Sequence, residues 1–281
     1  MPKLSQHQSS LTTKLLYIGD SGAGKSGSLA SLAGAGYNLR IVDLDNGIDV
    51  LKNILEDPKS AYGPKALDQV DYETITDTMK TVNGRLVPGK ATVWQRVLGL
   101  LDNWPGYGSI TTWTPQDILV IDSLTMLSTA ALNFVLSMNG RLGQRPQLAD
   151  WGDGQGLIES FVQKLYDESV VCNIVVCAHV TYLGEEGNQR GYPNTLGKAL
   201  PPKLGRYFNT VLMAKSVGQG SNIRRKILTN TSGVVELKNT APSRVKPEYE
   251  LATGLAEYFA AVKGEGAKAP VTGVAQAPRT T

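Results

Sequence analysis

The sequence is poor in the residues that build many special sites. Its 281 residues include only two cysteines, Cys172 and Cys177, both in one apolar stretch, with no CxxC pair and no Cys/His cluster. A disulfide framework and a zinc site of recognisable spacing are therefore excluded. Both thiols are expected to be reduced and buried, as free cysteine usually is. No apolar run reaches the roughly 18 residues of a membrane span, so no membrane partner is expected. The opening stretch MPKLSQHQSSLTT is polar and lacks the apolar core of a signal peptide. The expected setting is soluble, reducing and cytoplasmic. Strong net charge is also missing: the balance is +3 with a pI near 8.7. That permits a nucleic-acid partner without implying one. What is present is apolar mass, at 41% of residues. It suffices for one large α/β domain or two small ones. No internal repeat is visible.

Along the chain, residues 1–13 read as a flexible arm. Strands are expected at 14–18 (KLLYI), 38–44 (NLRIVDL), 117–122 (DILVID) and 173–178 (NIVVCA). Their apolarity is continuous rather than alternating, which suits a parallel sheet covered on both faces. Helices are expected from Lys25 to 34–36, at 48–56, 92–103, 123–138, 156–170 and 252–261. Segment 57–90 reads as an irregular insertion with an edge strand at 70–76. Segments 139–155 and 181–198 are polar, Gly-rich loops. Strands close together at 209–215, 223–229 and 234–238 suggest an antiparallel extension. The Ala/Pro/Gly/Thr-rich tail 263–281 reads as disordered. The pattern predicts an α/β fold, a mostly parallel central sheet flanked by helices, with an antiparallel C-terminal extension.

Gly19-Asp20-Ser21-Gly22-Ala23-Gly24-Lys25-Ser26 matches GxxxxGK[ST] at every fixed position, between a strand and a helix. The glycines let the backbone curl until successive N–H groups point at phosphate oxygens. The following helix turns its positive end to the same anion. In such a loop the Lys25 ammonium reaches the β- and γ-phosphates, and the Ser26 hydroxyl ligates magnesium. ATP and Mg2+ are the implied ligands.

Phosphoryl transfer also needs a second magnesium anchor and a group to orient water. Asp122 ends a buried strand, where ligands bind in open α/β sheets. It reads as the magnesium partner of Ser26, directly or through a water; the competing reading is a helix N-cap. At the neighbouring strand tip, Asp45 is the candidate water-activating base, Asp43 is structural and Asp49 caps the next helix.

Taken together these segments resemble the bacterial RecA recombinases. IVDLDNGID resembles the segment with their catalytic carboxylate, ILVIDSLTML their Walker B strand, NIVVCAH the strand ending in a γ-phosphate sensor, and ELKNTAP the stretch whose lysine reaches a neighbour's ATP. The segments keep the RecA order and cover 14–50, 117–180 and about 205–250. The size is similar to the core-only RecA-like ATPases of phages, which support single-strand annealing and recombination. The resemblance implies a RecA-like P-loop core over 14–262, DNA-stimulated ATP hydrolysis between subunits of a ring or filament, and single-stranded DNA as a ligand. A single-strand-binding protein or another replication protein would be a further partner. For a phage-encoded chain the compartment would be the host cytoplasm. Asp45 takes the catalytic carboxylate position, where RecA has the longer glutamate. His179 takes the sensor position, where RecA has glutamine; the alternative is a histidine that merely ends its strand. Lys238 takes the place of the first trans-acting lysine, and Thr240 stands where the second would be. Arg244, Arg224 or Arg225 could substitute; a solvated strand-end lysine is the other reading of Lys238.

In RecA-like filaments two loops touch DNA, and here they correspond to 139–155 and 181–198. The first carries Arg141, Arg145 and Trp151, and the second Arg190, with Glu185 and Glu186 opposing. Cations with interleaved aromatics suit a single strand, although any surface loop can carry them. Two other classes share the phosphate loop: a nucleotide switch acting on a protein partner, of helicase-loader or partition type, and a small-molecule kinase.

Overall fold

The computed structural model describes residues 12–218, 220–231 and 233–265. The chain begins with β1 (Lys14–Gly19), then two short helices, α1 (Lys25–Ser28) and α2 (Ala30–Gly34), where one continuous helix was expected. Next come β2 (Asn38–Asp43), α3 (Ile48–Glu56) and β3 (Val70–Thr74), the edge strand expected in the insertion. A separate hairpin follows, β4 (Met79–Val82) and β5 (Arg85–Pro88), then α4 (Val93–Asp102) and β6 (Asp117–Asp122). The middle of the chain forms α5 (Leu124–Met138), α6 (Leu148–Tyr166), β7 (Asn173–Leu183) and β8 (Arg190–Pro193). The last elements are α7 (Pro201–Leu204), β9 (Thr210–Val217), β10 (Arg224–Leu228), β11 (Glu248–Glu250) and α8 (Gly254–Lys263).

Among the described residues the main sheet runs β11-β10-β9-β1-β7-β6-β2-β3, with β8 added to β7. The run from β9 to β3 is parallel throughout, and β10, β11 and β8 join antiparallel. This is the α/β sheet expected, with its antiparallel C-terminal extension. All six residues of β6, DILVID, are buried, as continuous apolarity requires of a strand covered on both sides. Successive side chains alternate between two cores. Leu16, Ile18, Leu119, Ile121, Ile174 and Val176 pack toward α4, α5 and α6. Leu15, Tyr17, Ile118, Val120, Val175 and Cys177 pack on the other face, under α2, α3 and α8. Both cysteines are free and buried, as expected.

Four local expectations need correction. Helix α6 starts at Leu148 rather than 156, so the polar loop is only 139–147 and Trp151 is helical. Asp150 anchors that start, its Oδ2 accepting from the Gln147 N–H at 2.7 Å. Strand β7 runs on to Leu183 and pairs with β8, so the loop expected at 181–198 contains a hairpin. Residues 234–238 form no strand, only isolated bridges from Val235 and Lys238. Thr13, assigned to the arm, is buried and donates its N–H to Asn173 Oδ1 at 2.7 Å. Residues 1–11 of the arm, and the tail beyond Glu265, lie outside the described residues.

Candidate functional site

Parallel strands end together, and the register puts chosen residues at one edge. Gly19 pairs with His179, and Asp122 pairs with both Asp43 and Cys177. The phosphate loop 19–26 leaves β1 at this edge and enters α1. Gly22 and Gly24 have φ of 75° and 95°, left-handed values that favour glycine. A side chain at Gly24 would also collide with Leu251 and approach Arg225 Cδ at 3.3 Å. Lys25 is buried, and its ammonium donates to the Gly19 and Asp20 carbonyls at 2.9 and 3.0 Å.

The two expected magnesium anchors meet across the sheet: Ser26 Oγ donates to Asp122 Oδ2 at 2.5 Å. Burial pushes the Asp122 carboxyl above its ordinary range, the Ser26 hydrogen bond opposes this, and the nearby Asp45 charge adds to it. The N-cap of α5 is Ser123, whose hydroxyl accepts from the Met126 N–H, which removes capping as the reason for Asp122. Among the described residues no three His, Cys, Asp or Glu side chains converge to hold a metal alone. One hydroxyl and one carboxylate fit magnesium, which takes its remaining ligands from water and substrate phosphates.

Asp45 stands just past the tip of β2. Ser123 Oγ donates to its Oδ1 at 2.8 Å, and His179 Nε2 lies 3.3 Å from its Oδ2. The His179 backbone is itself tied down, its N–H donating to Thr125 Oγ1 at 3.0 Å and its carbonyl accepting from Asn194. Asp43 is structural, as expected: it is buried and accepts from the Gly47 N–H and the Thr74 hydroxyl. Asp49 lies in the first turn of α3, whose N-cap residue is Gly47.

A cavity of about 780 Å³ joins these groups. The loop, Asp45, Asp122 and His179 line its polar end, while Val50, Ile54, Tyr62 and Leu251 line an apolar end. Arg225 lines it too, which sequence reasoning missed by considering Arg225 only as a group directed at a neighbouring subunit. Its place depends on the pairing of β10 with β9 and β11, which no local motif announces. Tyr62 and Ser123 were also missed; only the serine following the Walker B aspartate was visible as a signal.

Lys238 does not join this site. It bridges to Val211, near the start of β9, and its ammonium donates to the Phe208 carbonyl at 2.7 Å. The phosphate loop lies beside the other part of β9, where Gly19 pairs with Ala214. The four nucleic-acid candidates divide into two ion-paired and two exposed side chains. Arg141 is ion-paired to the buried Asp150, and Arg190 to Glu236. Arg145 and Trp151 are exposed.

A family model described as an AAA domain matches residues 12–241. The chain belongs to this AAA-domain family. The match takes in the phosphate loop and the strands of Asp45, Asp122 and His179, so this AAA domain is a P-loop nucleotide-binding domain. Solved structures similar to it include the RadB recombinase, at 15% identity over 77% of this chain and 79% of that one, with a TM-score of 0.44. A KaiC-like protein of Pyrococcus horikoshii gives 12% identity, 85% and 84% coverage and a TM-score of 0.44. The flagellar accessory protein FlaH of Methanocaldococcus jannaschii gives 11%, 84% and 83%, and 0.43. A comparison with curated proteins finds no match. Among the described residues no helix is long and apolar enough to cross a membrane.

Proposed function

We propose that the chain hydrolyses ATP, binds single-stranded DNA and self-associates into a ring or filament, in the manner of the phage RecA-like proteins that assist annealing and recombination. The observation that carries the hydrolytic reading is the convergence of Ser26, Asp122, Asp45 and His179 around one phosphate loop. Loop N–H groups and Lys25 bind the polyphosphate. Ser26 and Asp122 would hold a magnesium ion, whose charge neutralises phosphate oxygens in the transition state. Asp45 accepts a hydrogen bond from the attacking water and orients it. Ser123 and His179 hold Asp45 from two sides, which compensates for a side chain one methylene shorter than glutamate. His179 also lines the cavity, where it would respond to the γ-phosphate. Lys238, turned away from its own loop, would serve only across a subunit boundary. Arg145 and Trp151 remain as DNA contacts from the original set; Arg141 and Arg190 are committed to carboxylates.

The test is the ATPase rate with and without single-stranded DNA, with particle size measured in the same samples. Hydrolysis stimulated by DNA and an ATP-dependent assembly are expected. Wild-type turnover in Asp45→Asn would remove the catalytic assignment. Absence of DNA binding in the presence of ATP would remove the DNA assignment and leave a nucleotide switch.

A further inference from the structure

Among the described residues the hairpin β4–β5 forms a two-stranded sheet separate from the main one. From Thr78 to Leu101 the chain has no Asp or Glu, and neither has the 139–149 stretch. The fold brings these two acid-free segments together: a Cβ on Gly143 would lie 2.9 Å from Val87 Cβ. In the hairpin register Lys80 faces Val87 and Val82 faces Arg85. Opposed residues share a face and alternate residues return to it, so Lys80, Val82 and Arg85 lie on the same face as Val87. That face is turned to the 139–147 loop, which carries Arg145. Lys80, Arg85, Lys90 and Arg145 are exposed and have no acidic partner among the described residues, whereas nearby Arg96 and Arg141 are paired with Glu73 and Asp150. On this same face Val82 is 43% exposed, whereas Met79 and Leu86 are exposed on the opposite face. A short free hairpin gains nothing by displaying them to water.

We propose that this hairpin and the 139–147 loop form a clamp for single-stranded nucleic acid, with Lys80, Arg85 and Arg145 on its phosphates. The inference rests on the DNA-binding reading above and assigns the place. Four uncompensated cations of one sign call for a polyanion. The exposed apolar Val82 beside them suits a strand whose base faces are open, which a duplex does not offer. The insertion then has a role that its irregular composition hid.

The experiment is fluorescence polarisation of a labelled oligothymidine with the full chain and ATP, across a salt series. Lys80→Ala/Arg85→Ala should make the log–log salt dependence shallower by about 1.4 and weaken binding about 25-fold at 0.1 M salt, the loss expected for two single-strand phosphate contacts. Arg145→Ala should act in the same direction, at about half the slope change. Thermal melting checks that each variant is folded. If the wild type fails to bind, the DNA reading itself falls, and this inference with it. If the wild type binds and the variants match it, DNA lies elsewhere and the clamp is wrong. An equal loss with duplex DNA would overturn the single-strand preference. A change in particle size with unchanged DNA affinity would make this face a subunit contact and overturn the proposal.

Discussion

Ser123 does two things at once: its hydroxyl accepts from the Met126 N–H to cap α5 and donates to Asp45 at 2.8 Å. One atom therefore links the start of a helix to the candidate base. Replacing Ser123 with Ala should cost about 1 kcal/mol of stability through the lost cap. It should also lower kcat about 10- to 100-fold by freeing Asp45, with KM for ATP little changed. Thermal melting and steady-state hydrolysis separate the two effects. In Asp45→Asn the same Ser123 change should add little, because the base it positions is already gone. Full additivity would mean that Ser123 acts only as a cap.

The Ser26–Asp122 hydrogen bond places the two proposed magnesium anchors side by side. Lys25→Ala should weaken ATP binding about 10- to 150-fold, from the loss of charge-assisted hydrogen bonds. Asp122→Ala should behave differently, losing most of the gain in affinity that magnesium gives while keeping metal-free binding. Titration calorimetry of ATP with magnesium and with a chelator reads this directly. An unchanged magnesium dependence would remove Asp122 from the metal site.

Arg225 sits on the wall of its own chain's cavity, against Gly24, with no acidic partner among the described residues. It should contribute to the nucleotide in cis. Arg225→Ala should weaken ATP about tenfold, and Arg225→Lys less, because only part of the fork geometry is lost. Mixing Arg225→Ala with Lys25→Ala chains discriminates cis from trans action. Cis action leaves every mixed site damaged in one way or the other. Recovery of hydrolysis in the mixture would show that Arg225 serves a neighbouring subunit.

The parts of the site that were legible in the sequence are those encoded by neighbours along the chain. The phosphate loop declares itself by consecutive spacing, and β6 by an apolar run ending in Asp122. Asp45 was within reach because it follows β2 at once. The rest depends on contacts between distant segments. Residues 148–155 read as loop because Gly152 and Gly154 lower helix propensity. Yet a Cβ on Gly154 would lie 2.8 Å from Leu196, so that glycine fits the helix to its neighbours. Arg141 was visible as a charge, but its commitment depends on Asp150 being buried in the first turn of α6. Lys238 was placed by motif order, and only its bridge to Val211 shows which end of the sheet it occupies.

Arg40 and Asp117 form a buried ion pair at 2.8 Å between β2 and β6. The Arg40 guanidinium also lies 3.7 Å from the Tyr107 ring centroid and 4.6 Å from that of Trp113. Burial pushes the Asp117 carboxyl up, but hydrogen bonds from the Thr114 backbone, Arg40 and Asn38 outweigh it and hold the pKa below its ordinary 3.8. A carboxyl depressed in the folded state contributes stability that is fully present above its unfolded value. That stability is lost as pH falls through the folded value, so this pair's share should disappear below about pH 4. Arg40→Met leaves Asp117 buried without its cation and should destabilise by about 3–5 kcal/mol at pH 7. It should also flatten the acid limb, because Asp117 then titrates closer to its unfolded value. Urea unfolding from pH 7 to pH 3 tests both parts. Parallel stability curves for the two proteins across that range would show that Arg40 does not set the ionisation of Asp117.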